Sequence, residues 1–301
     1  MVQSKIFVLC GKGGVGKTTL ALSLGVREAT RGRKVLIVTS HPLPEFAVSV
    51  SLEGLATRSA VAARNLFVVH LDAKAMLAEE VEKQFPVAML ARAVINSSIY
   101  KNLVEVAPGL KEFYFLARLQ QLAERKRAQQ EAPDFEVLLW DAPSTGHFLG
   151  TLRAAHDFEV YLSGPLAVAG AQMSRFFSNA QNIGVLPVAT LEEMAIEETL
   201  EMCATLSKDF HLKPWMALMN LVSPLVSASE ADALSARTLL EQTSDSLLRF
   251  TLDRGLIDRE RAERLQSRLG CPMLAIPRIW KHTSDLDLLD HMAASLTRLE
   301  I

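Results

Sequence analysis

The chain has 301 residues, 49% of them hydrophobic and 22% charged, with a formal net charge of −2 at pH 7. That balance is that of an ordinary globule; it excludes a broad electrostatic attraction for nucleic acid, so no nucleic-acid partner is expected. Three widely spaced cysteines (Cys10, Cys203 and Cys271) without a C-x-x-C pair exclude a zinc clasp or redox dithiol and fit a reducing compartment.

Residues 6–10 form an apolar run too short for the apolar region of a signal peptide, and no stretch approaches the roughly 18 uninterrupted apolar residues of a membrane span. The expected location is the cytoplasm, peripheral to a membrane only through a partner. The run 6–10 predicts a buried strand, 11–16 a turn, 17–31 a helix stopped by Gly32, and 34–39 a second apolar strand. Further strands are predicted at 66–71, 137–140, 159–162, 185–190, 215–221 and 272–276. Continuous rather than alternating apolar strands predict a mostly parallel, doubly wound α/β sheet with helices on both faces. Residues 73–130 turn helical, interrupted at Pro86 and Pro108-Gly109, and predict a helical insertion. A second helical subregion is expected at about 229–269, with Ser229 as its cap. Strands recur over the whole length, which favours one domain spanning 1–301.

Gly11-Lys12-Gly13-Gly14-Val15-Gly16-Lys17-Thr18 satisfies G-x-x-x-x-G-K-[ST], between a buried strand and a helix start. Glycines let the backbone N–H groups converge on phosphate oxygens, and the helix N-terminus adds positive potential. Lys17 is expected to neutralise the β and γ phosphates of ATP, and the Thr18 hydroxyl to coordinate Mg2+. With Thr19, the stretch resembles the deviant P-loop signature G-K-G-G-V-G-K-T-T in full. That signature marks MinD, ParA, nitrogenase iron protein, and the ArsA arsenite pump ATPase with its tail-anchored-protein-targeting relatives. The resemblance implies that Lys12 reaches across a nucleotide sandwich dimer to the partner's phosphates, much as an arginine finger does.

Asp141 ends the predicted strand 137–140, where a carboxylate can organise the hydration shell of magnesium. Asp141-Ala142-Pro143-Ser144-Thr145-Gly146-His147 resembles the ArsA switch motif D-T-A-P-T-G-H, with the proline displaced by one. Thr145, Gly146 and His147 are thereby implied to form a switch that follows nucleotide state. Pro108-Gly109 with Glu112, and Thr190 with Glu193, Glu197 and Thr199, are similar to further segments of the same branch. The resemblance also places Asn220 against adenine, whose edge an amide pairs by donating and accepting, and Pro277 and Ile279 in the loop that covers the base.

The pattern breaks at Thr39-Ser40-His41-Pro42. The branch usually has T-D-P there, so His41 stands where a water-orienting aspartate is expected. A neutral histidine serves as a general base near pH 7, whereas one charged beside triphosphate does not; Ser40 or Glu45 are the other candidates. Two readings stay open. One is an ArsA-type ATPase that works as a homodimer or heterodimer and couples ATP turnover to transport or targeting of a client. The other is a weakly hydrolysing subunit paired with a catalytically intact paralogue. A metabolic synthetase on the same loop is a third class, with no second-substrate constellation to support it. The apolar content of 76–119 and 165–186 suits either a docking groove or helices packed on the sheet.

Overall fold

The computed structural model describes residues 6–40, 64–72, 76–78, 109–124, 135–161, 163–280, 284–297, 299 and 301. Its elements in chain order are β1 (Ile6–Cys10), α1 (Lys17–Thr30), β2 (Val35–Thr39), β3 (Leu66–His70), α2 (Leu110–Ala123), β4 (Val137–Asp141), α3 (Thr145–Tyr161), α4 (Pro165–Phe177), β5 (Ile183–Ala189), α5 (Glu193–Phe210), β6 (Ala217–Val222), α6 (Glu230–Gln242), α7 (Ser246–Leu269), β7 (Met273–Pro277) and α8 (Asp285–Ser295). His41, Pro42, Glu45, Pro86 and Pro108, together with most of 73–108, lie outside the described residues.

Every strand pairing is parallel, in the order β3-β2-β4-β1-β5-β6-β7. The strands β1, β2, β4 and β5 are buried throughout, on both faces, and alternate residues feed different cores. Ile6, Val8, Leu36, Val38, Leu138 and Trp140 face α2, α3, α4 and α5. Phe7, Leu9, Val35, Ile37, Val137 and Leu139 face α1 and α8. A third cluster joins β6 to α7 through Ala217, Met219, Ala262 and Leu265. The architecture is therefore the doubly wound parallel sheet that unbroken apolar strands imply.

The strand expected at 159–162 is not formed: 159–161 are the last turn of α3. Phe148, Thr151, Leu152, Ala155 and Phe158 are buried at helical spacing, while Val160 and Tyr161 are 54% and 79% exposed. A short apolar run does not distinguish strand from helix end, and the longer period prevailed here. The subregion 229–269 is two helices, with Asp245 capping α7 through Leu247 N and Leu248 N; Ser229 caps α6 by accepting from Asp232 N. Phe113, Phe115, Leu116 and Leu119 of α2 are buried in the core. Sheet packing thus accounts for the apolar spacing of that helix.

Candidate functional site: a phosphate-binding loop

Parallel strands end on one edge, so the loop after β1 and the residues after its neighbours β4 and β5 meet there. The register Leu9↔Asp141 fixes how far the carboxylate reaches beside the loop. Gly11 has φ 148°, and a Cβ there would meet the Val188 carbonyl oxygen at 2.2 Å. Gly16 has φ 92°, and a Cβ would fall 2.3 Å from Asn220 Nδ2. The curl of the loop against β5 and β6 therefore requires glycine at both positions. A Cβ on Gly13 or Gly14, by contrast, would meet nothing within 4 Å, and both residues are exposed.

Lys17 opens α1 and is 8% exposed; its Nζ donates to the carbonyls of Gly11 (3.0 Å) and Lys12 (2.9 Å). Burial pulls its pKa down, opposed first by the negative charge of Asp141. Thr18 Oγ1 donates to Asp141 Oδ2 at 2.7 Å, a short bond of the kind a hydroxyl makes to a carboxylate. Asp141 is 1% exposed. Trp140, one residue earlier, packs on Phe115 and Phe148 with ring centroids 5.4 and 5.3 Å away, tying this strand end to α2 and to α3. Val15 is buried and Thr19 is partly buried.

Asn220 lies near the end of β6 where the pairing with β7 shifts register, followed by Leu221 at φ 59°. Its Nδ2 donates to the Val15 carbonyl at 2.9 Å, so one amide hydrogen is engaged with the phosphate loop. Asn220 Oδ1 and the buried Thr145 hydroxyl have no hydrogen-bond partner among the described residues. Such buried atoms are uncommon unless a ligand or water reaches them. Pro277 pairs with Val222 and Arg278 N donates to the Val222 carbonyl at 3.1 Å, so the loop carrying Ile279 leaves the sheet beside Asn220. Gly146 and His147 are exposed in the first turn of α3. His147 borders a cavity of about 400 Å³ shared with Ser40, His70, Asp72, Lys111 and Glu112.

Sequence reasoning missed Glu198, whose Oε2 lies 3.9 Å from Lys12 Nζ. It stands between Glu197 and Thr199, both noted from the sequence, but only the helical phase of α5 turns it toward the loop. It also missed that Asn220 braces Val15, a contact between residues 205 positions apart.

A central parallel strand that runs into a glycine loop at a helix start, with a carboxylate from the adjacent strand bonded to the second residue of that helix, defines a P-loop NTPase fold. The chain belongs to the anion-transporting ATPase family, which it matches over residues 4–211. It is 24% identical to ATPase BagA of Mycobacterium tuberculosis over 205 residues, covering 65% of this chain and 59% of that protein. It is 25% identical to ATPase GET3C of Arabidopsis thaliana over 175 residues (54% and 44%) and 27% identical to ATPase ARSA2 of Chlamydomonas reinhardtii over 164 residues (54% and 41%). The chain thus spans less than two thirds of the length of these relatives. Asn220, Pro277 and Ile279 lie beyond the family match.

Proposed function

We propose that this chain is a nucleotide-switched ATPase that binds Mg-ATP in the loop 11–18 and works as a dimer, with residues 1–301 as one domain. The observation that carries the reading is the Thr18–Asp141 hydrogen bond at the mouth of a glycine curl that already holds the Lys17 ammonium. The site fits a magnesium nucleotide on three counts: the unobstructed, exposed backbone at Gly13 and Gly14, the hard-oxygen pair Thr18 and Asp141, and the unpartnered buried oxygens of Asn220 and Thr145.

Lys17 gives up its loop carbonyls and places its charge against the β and γ phosphates. Thr18 and, through water, Asp141 would hold the metal. Magnesium supplies neutralisation of the charge that develops on the transferred phosphoryl group. Asn220 keeps one hydrogen on Val15 and accepts through Oδ1 from the amino group of adenine, while Pro277 and Ile279 cover the base. Lys12 acts in trans on the phosphates of the second subunit. Loss of the γ phosphate releases the Thr145–His147 turn, and the cavity beside His147 gives that turn room to move. The output is transport or targeting of a client, with a membrane protein as the kind of partner the family resemblance implies.

A second reading rests on His41 in place of the usual aspartate. In it, the chain binds ATP but hydrolyses it weakly, and a paralogous subunit supplies the missing water-orienting carboxylate. Phosphate release from Mg-ATP by the purified chain, with Lys12→Ala and His41→Asp alongside, separates the two. Turnover that rises with protein concentration and falls at least about a hundredfold in Lys12→Ala supports the self-sufficient dimer. Tight binding without turnover, restored by His41→Asp, supports the regulatory subunit. No ATP binding at all overturns both.

A further inference from the structure

Lys12, the second lysine of the loop, is engaged within its own chain. Its Nζ lies 3.9 Å from Glu198 Oε2, and both side chains are 36% exposed. Glu198 stands in the second turn of α5, which begins past the end of β5, on the flank of β1 opposite β4 and Asp141. The carboxylate thus approaches the phosphate loop from the side that Asp141 leaves uncovered. Its charge is felt at Lys17 too, where it favours the protonated ammonium. Its neighbours have other partners: Glu197 pairs with Arg268 at 2.8 Å, and the Thr199 hydroxyl donates to the Ala195 carbonyl at 2.7 Å.

A carboxylate within ion-pair distance of a part-exposed lysine holds its ammonium weakly and covers itself with that charge. Here the covering cation is Lys12, the residue that the trans reading assigns to another subunit's phosphates. We propose that Glu198 is a positioning residue that holds Lys12 in cis until the triphosphate of a second subunit draws the lysine away. The proposal rests on Lys12 acting in trans. Exposed ion pairs shift equilibria by only about 1.4- to fivefold, so the hold is weak enough for a triphosphate to break. A diphosphate presents less charge and competes less well. The pair therefore sets a threshold that favours dimer closure with ATP over closure with ADP.

Sedimentation velocity of the full chain with Mg2+ and either ADP or a non-hydrolysable ATP analogue tests this in the wild type, Glu198→Gln, Lys12→Ala and the double variant. Glu198→Gln is expected to tighten the analogue-driven dimer about two- to fivefold and to raise the dimer fraction with ADP. In the Lys12→Ala background the two- to fivefold gain that comes from freeing the lysine is expected to be absent, since the carboxylate then has no lysine to hold. An equal effect with and without Lys12, or a dimer weakened by Glu198→Gln, overturns the hold and makes Glu198 a group that meets nucleotide or partner directly. If Lys12→Ala leaves the analogue-driven dimer unchanged, or the wild type forms none, the trans reading itself fails. Thermal midpoints of all four proteins identify any variant that has lost its fold.

Discussion

Lys17 is held under conditions that a lysine would not choose. Burial lowers its pKa, and the partial compensation from Asp141 comes from a carboxylate hydrogen-bonded to Thr18. With the folded pKa below the unfolded one, the unfolded chain binds this proton more tightly. The ammonium therefore costs stability below the folded pKa, and that cost fades as pH rises through it toward the ordinary lysine value. Lys17→Met is accordingly expected to leave the nucleotide-free melting temperature unchanged or higher. It should abolish the rise in melting temperature that Mg-ATP produces in the wild type, a rise governed by ligand concentration over Kd. Differential scanning fluorimetry with and without Mg-ATP reads both at once. Lys17, Thr18 and Asp141 were legible because a contiguous motif and the end of an apolar strand name them. Glu198 was not, because its importance lies in the direction α5 presents it.

The phosphate-loop helix is anchored at its far end by charges that no motif announces. Arg27 and Glu28 of α1 are 7% and 1% exposed. Glu28 accepts from Arg27 Nε at 2.7 Å, Arg31 at 3.0 Å and Arg33 at 2.9 Å. Arg27 also donates to the Leu296 carbonyl at the C-terminus of α8, and to the Leu299 carbonyl at 2.6 Å. A buried pair contributes little beyond an apolar replacement, but removing one member leaves the other charge uncompensated. Glu28→Gln is therefore expected to destabilise the protein by about 3 kcal/mol and lower the urea midpoint, while Arg27→Met with Glu28→Leu recovers most of the loss. A midpoint for Glu28→Gln equal to the wild type would show that water reaches this network. A short apolar run also misled at the end of α3, where the last turn carries exposed Val160 and Tyr161. Apolar composition there matched a strand, but solvent met the side chains.

Among the described residues, helices pack on both faces of one sheet, and on one of those faces α1 packs against α8. That arrangement predicts a single cooperative unfolding transition. Tryptophan fluorescence, which reports on the fully buried Trp140 among others, should coincide with far-UV circular dichroism along a urea titration. Two separated transitions would divide the chain into independent units and remove the one-domain reading. Among the described residues no helix is long and apolar enough to cross a membrane.

The α/β class, the loop after β1, the helix that follows and the carboxylate of β4 could all be read along the chain, because each depends on local backbone demands or on a strand's unbroken burial. Strand order could not, since pairing is set by crossovers that composition does not encode. Only that order puts Asp141 and Glu198 on opposite flanks of the loop and Asn220 against Val15, and these long-range neighbours give the loop its carboxylates and its brace.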